Sequence, residues 1–220
     1  MANVLYDQKN THKISLEDLI KHTLSVQKGI KKSLLVVDMP KGSYSNTFTA
    51  LKNARIIMKK TNCHAVKLEN FKNNYKIINL LVKKKIPVMG HIGFTPQFKR
   101  SFRIEGQSKK EIEKLLKQAK SIEKAGAFSI VLECLTSDAA RLITQSIKIP
   151  TIGIGSSSYC DGQILVTDDM LGLSGFYPKF VKKYANLNRI IAKAAKKYTR
   201  DVKLKKFPSK KNFLNGTNNR

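Results

Sequence analysis

The sequence predicts an α/β fold, a (β/α)8 TIM barrel of which about six of the eight strands are present. The first observation is that short apolar segments alternate with longer segments of helical periodicity, as in parallel βαβ units. The second is that several apolar segments end on one polar residue, as barrel strands do at their functional face. Six strands would also suit a doubly wound open sheet, although no GxGxxG motif follows the first strand.

The elements follow from apolar spacing and from helix start signals. Helices are predicted to begin at Ser15, at Ser45 or Asn46, and at Ser108, because these residue types cap helix N-termini. We expect one domain over 1–200, a polar loop or lid at 98–107, and a basic, flexible tail over 201–220. Further helices are predicted at 75–82, 137–146 and 178–199, and the six strands at 33–38, 65–69, 86–91, 129–133, 151–155 and 164–167.

Composition limits the possible classes of protein. The formal net charge of +27 invites a nucleic-acid interpretation. The basic residues are mostly Lys and are spread along the chain, which favours a general lysine bias and no nucleic-acid partner. No apolar run reaches membrane-spanning length, so no membrane partner is expected. The three cysteines lack metal-ligand spacing, and no secretory signal is evident, which indicates a reduced, cytoplasmic chain.

The first two predicted strands both end on carboxylates. Asp38 ends the first, and Glu69 ends the second, two residues after Lys67. Because residues i and i+2 of a strand share a face, Lys67 and Glu69 should point the same way. Two inward carboxylates beside a cation suit Mg²⁺, which takes one or two carboxylates with water and substrate oxygens. A buried Lys–Glu ion pair without a metal is the alternative.

Two later strands present further candidates. Glu133 follows an apolar strand and is a candidate general base, or else a carboxylate that caps the next helix. His91 lies between two glycines, where it could hydrogen-bond a substrate or satisfy a backbone group. Cys134 has no histidine at a recognisable triad spacing, which disfavours a nucleophilic role.

Seven segments in order resemble the ketopantoate hydroxymethyltransferase (3-methyl-2-oxobutanoate hydroxymethyltransferase) family. The GHIGFTPQ part of the third segment is the most specific. The segments are VDMP at 37–40, VKLE at 66–69, PVMGHIGFTPQ at 87–97, VLEC at 131–134, IPTIGIG at 149–155, CDGQ at 160–163 and PKF at 178–180.

The resemblance implies transfer of a hydroxymethyl group from 5,10-methylenetetrahydrofolate to 3-methyl-2-oxobutanoate. The product would be 2-dehydropantoate, on the route to pantothenate and coenzyme A, formed through an enolate stabilised by Mg²⁺. The resemblance implies that Asp38 and Glu69 bind the metal, that Asp38 and Lys67 contact the keto acid, and that Glu133 accepts the proton. It also implies a homo-oligomer, possibly a decamer. It assigns no folate-binding residues.

The sequence departs from the family pattern at its N-terminal end. The family pattern begins with a segment containing Gly-Asp-Ser, whose Asp binds the metal, and this sequence contains no Gly-Asp-Ser. We therefore expect an N-terminally truncated barrel with an incomplete metal site. Three alternatives stay open: an inactive fragment, a non-catalytic basic binding protein on the same scaffold, and another Mg²⁺-dependent, enolate-forming barrel enzyme of the phosphoenolpyruvate-mutase or isocitrate-lyase kind.

Overall fold

The computed structural model describes residues 14–72, 74–99 and 101–213. The chain divides into two compact units, Met1–Ile164 and Leu165–Arg220. The last part of the predicted tail, 214–220, lies outside the described residues. Among the described residues, no helix has the length and apolar character needed to cross a bilayer.

The first unit contains a sheet of six parallel strands that lie in sequence order. Each strand pairs with the next one along the chain, and helices connect most of them, which is the arrangement of successive βα units in a barrel. The prediction of a barrel with about six of its eight strands is confirmed. The strands are β1 (Val36–Asp38), β2 (Ala65–Lys67), β3 (Val88–Gly93), β4 (Ser129–Glu133), β5 (Thr151–Ile154) and β6 (Gly162–Gln163).

Five helices accompany the sheet. Side-chain caps start three of them where the sequence predicts, because Ser15, Asn46 and Ser108 each accept a backbone N–H of the first turn. Buried positions recur at helical spacing on each helix and pack toward the strands. The helices are α1 (Leu16–Gln27), α2 (Thr47–Thr61), α3 (Tyr75–Lys83), α4 (Lys109–Lys124) and α5 (Ser137–Ser146).

The sixth strand was predicted in the wrong place. The apolar segment 164–167 is not a strand, and β6 is Gly162–Gln163. Gly162 pairs with Ile152 of β5, and a side chain at position 162 would require the end of the Ile152 side chain to move. The N–H of Ile164 still donates to the carbonyl of Gly153 at 2.9 Å, after which Leu165 begins the second unit.

The second unit contains α6 (Thr167–Leu171), α7 (Leu187–Lys203) and a short 3-10 helix (Lys210–Asn212). The predicted helix at 178–199 is wrong at its start, because Asn186 caps α7 and accepts from the N–H of Arg189. The structure adds α6, which the sequence did not predict. The boundary expected at residue 200 stays a prediction, although α7 itself continues to Lys203.

Candidate functional site

The carboxyl ends of β1 to β4 bring four polar side chains into one row. Asp38 and Lys67 are register partners at the ends of β1 and β2. Glu133 is the last residue of β4 and lies opposite Gly93. His91 lies within β3, between Lys67 and Glu133. Parallel strands expose their carboxyl ends at a common edge, so the alternation of apolar strand and polar terminus assembles the row.

The four side chains form a continuous chain of contacts, which we call the polar array (Asp38, Lys67, His91 and Glu133). The ammonium of Lys67 lies 2.9 Å from Oδ1 of Asp38. The same Nζ lies 3.2 Å from Nδ1 of His91. Nε2 of His91 lies 3.3 Å from Oε2 of Glu133. The structure thus connects a predicted substrate contact, Lys67, to the predicted proton acceptor, Glu133, through one imidazole.

The contacts of His91 determine its tautomer. Nε2 faces two acceptors, the carbonyl of Phe94 at 2.9 Å and the carboxylate of Glu133, so it carries the proton. Nδ1 faces the ammonium of Lys67, which can only donate, so it is the accepting nitrogen. Burial lowers the pKa of His91, and the charge on Lys67 lowers it further. His91 is therefore a neutral imidazole that orients its two charged neighbours.

Lys67 carries its charge within the protein. Its side chain is only 16% exposed, and burial by itself opposes the ammonium form. The attraction of Asp38 and Glu69 outweighs burial, so the pKa of Lys67 is raised. The array therefore offers a fixed positive charge to an anionic substrate at the end of β2.

Glu69 is held beside the array in a different way. It follows β2, is 1% exposed, and its Oε2 accepts the backbone N–H of Gln97 at 3.0 Å. Burial raises the pKa of Glu69 to about 8, against the attraction of Lys67 and with the repulsion of Asp38. Glu69 therefore holds a proton readily at neutral pH unless a further cation approaches it.

A second set of contacts, centred on Gln97, fixes the loop that holds Glu69. The side-chain amide of Gln97 donates to the carbonyl of Met39 at 2.9 Å. Its Oε1 accepts the hydroxyl of Tyr44 at 2.7 Å. Burial raises the pKa of Tyr44, so this hydroxyl stays protonated and donates. The sequence analysis gave Tyr44 and Gln97 no role, and the only signal was that Gln97 ends the most specific motif.

The strand that carries Glu133 is positioned by a glycine. Gly93 has a φ of +95°, and a side chain there would collide with the carbonyl of Glu133. The N–H of Phe94 donates to that carbonyl at 2.9 Å. Only glycine tolerates both this positive φ and so close an approach to the carbonyl of Glu133, which explains why position 93 is a glycine.

Cys134 is buried directly after Glu133. Burial and, to a smaller extent, the charge on Glu133 together raise the pKa of its thiol to about 12. The thiolate is therefore scarce near neutral pH, which agrees with the expectation that Cys134 is not a nucleophile.

The loop predicted at 98–107 is fastened to the end of β4. Glu105 pairs with Leu135 in a parallel bridge, and its N–H donates to the carbonyl of Cys134 at 2.9 Å. Nζ of Lys99 donates to Glu105 at 2.6 Å and to the carbonyl of Gly93 at 2.9 Å. The described part of the loop thus lies beside the array.

Comparison with known proteins places the chain in a family. A family model of ketopantoate hydroxymethyltransferase matches residues 1–210. The 3-methyl-2-oxobutanoate hydroxymethyltransferase of Pelagibacter ubique is 49% identical, over 96% of this chain and 82% of that protein. The chain belongs to the ketopantoate hydroxymethyltransferase family. The enzyme of the same name from Pyrococcus furiosus is 44% identical, over 97% of this chain and 76% of that protein.

Solved structures support the fold of this family member. The crystal structure of 2,3-dimethylmalate lyase, of the PEP mutase/isocitrate lyase superfamily, matches with a TM-score of 0.55 and 15% identity. That match covers 71% of this chain and 58% of the lyase. A putative phosphonomutase from Burkholderia cenocepacia gives a TM-score of 0.55 at 11% identity, over 87% of this chain and 77% of that one. At such identities the matches speak for the barrel fold and not for the reaction.

The donor set of this ketopantoate hydroxymethyltransferase family member fits magnesium. Within the described residues, no group of three or more His, Cys, Asp or Glu side chains is arranged to hold a metal ion. Two carboxylates suffice for Mg²⁺, because water and substrate oxygens supply its other ligands. Glu69 is a buried carboxylate whose raised pKa a bound cation would lower, and Asp38 stays accessible, with 47% of its side chain exposed.

Proposed function

We propose that the protein transfers a hydroxymethyl group from 5,10-methylenetetrahydrofolate to 3-methyl-2-oxobutanoate, giving 2-dehydropantoate for pantothenate synthesis. The observation that carries the proposal is the polar array, in which an ammonium and a carboxylate are joined by a neutral imidazole. Such an arrangement can hold an anionic keto acid at one end and remove a proton at the other.

Glu133 is the group that removes the proton. The side chain is 19% exposed, so a substrate can reach it, and Nε2 of His91 holds it from one side. The hydrogen at C3 of the keto acid is acidic because it is adjacent to the keto group. Once Glu133 has accepted that proton, the electron pair left on C3 forms the new carbon–carbon bond to the methylene carbon of the folate, and both carbon–nitrogen bonds of that carbon break. Water supplies the hydroxyl group of the product. The two folate nitrogens take up one proton from Glu133 and one from the water, and tetrahydrofolate leaves.

Lys67 and Asp38 bind and orient the keto acid. The ammonium of Lys67 attracts the carboxylate of the substrate, and Asp38 fixes the position of that ammonium at 2.9 Å. His91 lies in the same row, where its neutral ring keeps Lys67 and Glu133 apart and aligned, and its own contact with the keto acid stays a prediction. We therefore expect the keto acid to bind with its carboxylate at Lys67 and with C3 directed toward Glu133.

Magnesium would be held by Asp38 and Glu69, where it would supply positive charge beside the keto oxygen. Binding of the ion requires the deprotonated form of Glu69, so magnesium affinity is expected to rise with pH towards about 8. The N–H of Gln97 keeps Oε2 of Glu69 in a fixed place while the ion binds.

The three cysteines support a reducing compartment. Cys63, Cys134 and Cys160 are buried and free of disulfides. We therefore propose that the enzyme is cytoplasmic. We also propose that it assembles as a homo-oligomer.

The proposed chemistry is tested by exchange of the C3 proton of 3-methyl-2-oxobutanoate in D₂O with Mg²⁺, followed by proton NMR. The wild-type protein should exchange this proton without any folate. Glu133→Gln should lower the exchange rate by roughly a hundredfold or more, the usual contribution of a general base, while the keto acid still binds. Exchange at the wild-type rate in Glu133→Gln would remove Glu133 from the role of base.

A matched control separates the loss of charge from the loss of the base. Glu113 is an exposed carboxylate on α4 and does not belong to the polar array. Glu113→Gln should leave both exchange and keto-acid affinity unchanged. In a full assay with 5,10-methylenetetrahydrofolate, the wild-type protein should form 2-dehydropantoate and Glu133→Gln should not.

A further inference from the structure

The loops that follow β1, β2 and β3 line a concave feature of the first unit. It is a cavity of about 410 Å³, a size within the usual range of small-molecule pockets. Its lining includes Lys41, Tyr44, Phe71, Lys72 and Phe98. We call this feature the aromatic–lysine groove.

The groove is built from the same loops as the site. Lys41 lies in the loop that follows Asp38, the last residue of β1, and Phe71 lies in the loop after β2 that also contains Glu69. Phe98 directly follows Gln97, whose N–H holds Glu69 and whose side chain binds the carbonyl of Met39. A ligand in the groove would therefore lie against the residues that hold the predicted metal ligands.

The aromatic rings of the groove form a prearranged stack. The rings of Phe71 and Phe98 are parallel, with centroids 4.1 Å apart and an interplanar angle of 6°. Tyr44 meets Phe98 edge-on at 6.2 Å. Phe71 nevertheless stays 42% exposed, so an apolar ring face is available to a ligand. An exposed, ordered stack of this kind favours a flat aromatic ligand.

The charges of the groove have one sign. Nζ of Lys41 lies 6.0 Å from the centroid of Phe98, and Nζ of Lys72 lies 5.3 Å from the centroid of Phe71. Among the described residues, the lining of this cavity contains no carboxylate. The ligand that complements the groove is therefore both aromatic and anionic.

We propose that the aromatic–lysine groove binds the p-aminobenzoyl-glutamate part of the folate co-substrate. The aromatic ring would lie against Phe71 and Phe98, and the glutamate carboxylates would lie near Lys41 and Lys72. This inference rests on the proposed function and adds to it, because it assigns residues to a co-substrate for which the sequence offered none.

Another cavity fits this ligand less well. It has about 210 Å³ and lies beside the loop that carries Lys99, Arg103 and Glu105. Two of its cations are paired with carboxylates, since Lys99 binds Glu105 at 2.6 Å and Arg103 binds Glu111. Its smaller volume and the pairing of these two cations disfavour an anionic, folate-sized molecule.

The test measures the binding of 5-formyltetrahydrofolate, a stable reduced folate, by isothermal titration calorimetry. Lys41→Ala/Lys72→Ala should weaken binding by about tenfold or more, as expected from the loss of two favourable charges. C3-proton exchange on the keto acid should stay at the wild-type rate, because neither lysine belongs to the polar array. The control variant, Lys52→Ala/Lys120→Ala, removes two exposed helix lysines outside the groove and should change neither quantity.

Two further measurements examine the aromatic part of the proposal. Phe71→Leu keeps an apolar side chain and should also weaken binding of 5-formyltetrahydrofolate by several-fold, because it removes the exposed ring. p-Aminobenzoyl-glutamate should compete with 5-formyltetrahydrofolate, and glutarate at equal concentration should not. Equal competition by glutarate would show a site for simple dianions and would overturn the aromatic assignment.

The outcomes separate this inference from the proposed function. The groove is not the folate site if Lys41→Ala/Lys72→Ala binds 5-formyltetrahydrofolate with unchanged affinity. The same conclusion follows if the wild-type protein exchanges the keto-acid proton but does not bind 5-formyltetrahydrofolate. Weakened folate binding in that variant, with no proton exchange by any protein, supports the groove and overturns the reaction.

Discussion

The two units of the chain differ in which side chains they bury and which they expose. At the carboxyl end of the sheet, Glu69 is 1% exposed and His91 is 2% exposed. In the second unit, α7 buries none of its residues, and Ile190 and Ile191 are 60% and 57% exposed. Ionisable side chains are therefore buried in one unit, while aliphatic side chains are exposed in the other.

The difference shows what each region depends on. Burial of a polar side chain is unfavourable unless it is partnered. Lys67 and Glu133 are the partners of His91, and the N–H of Gln97 is the partner of Glu69. The apolar side chains of α7 gain little from folding while they stay in contact with water. The strand ends should thus be sensitive to single substitutions, and the exposed face of α7 should tolerate them.

The largest effect is expected at the centre of the polar array. His91→Ala removes the link between Lys67 and Glu133, so the C3-proton exchange rate should fall by roughly a hundredfold. His64→Ala is a matched control, because Nδ1 of His64 also accepts a hydrogen bond, from the N–H of Leu35, outside the array. Similar exchange rates in the two variants would contradict a positioning role for His91.

A substitution in the core below the array should weaken the fold itself. Leu132 precedes Glu133 in β4 and is fully buried, so Leu132→Ala should lower the free energy of unfolding by about 2–5 kcal/mol. Urea denaturation followed by circular dichroism measures this loss. A loss below about 1 kcal/mol would mean that the strand is not packed as described.

Local features of the sequence predicted most of the first unit. The N-caps Ser15, Asn46 and Ser108 and the five strands before Gly162 depend on neighbours in sequence, so their positions were predictable to within a few residues. The strand ends also identified the side chains of the array. The error at 164–167 arose because an apolar run is common to strands and to other buried segments.

Long-range contacts explain what the sequence did not predict. Tyr44 and Gln97 are separated by 53 positions, and Met39 and Gln97 by 58, so no spacing rule joins them. The link from Lys67 to His91 requires that β2 and β3 be neighbours in a known register, which only the folded sheet provides. The start of α7 at Leu187 was missed because apolar residues from Phe180 onward continue the helical spacing.

The pH dependence of stability should reveal the buried carboxylate. Because the pKa of Glu69 is raised from 4.5 to about 8 in the folded protein, the folded state holds this proton more tightly than the unfolded chain does. Without a divalent cation, stability should therefore fall as pH rises from about 4.5 to about 8, by at most about 1.4 kcal/mol per pH unit. Urea denaturation at several pH values measures this slope.

The same experiment has an internal control. Glu69→Gln cannot ionise, so this contribution to the slope should disappear in that variant. Saturating Mg²⁺ should oppose the decline in the wild-type protein and have little effect in Glu69→Gln. An identical pH slope in both proteins would show that Glu69 does not titrate in this range.

The smallest effect is expected on the exposed face of α7. Ile191→Ala removes apolar atoms that already contact water, and Ala favours helix, so the free energy of unfolding should change by less than about 0.5 kcal/mol. Set beside Leu132→Ala, this variant compares an exposed with a buried aliphatic side chain in one protein. A loss above about 1 kcal/mol would mean that this face is covered in solution, and analytical ultracentrifugation of Ile191→Ala would then show whether a second copy covers it.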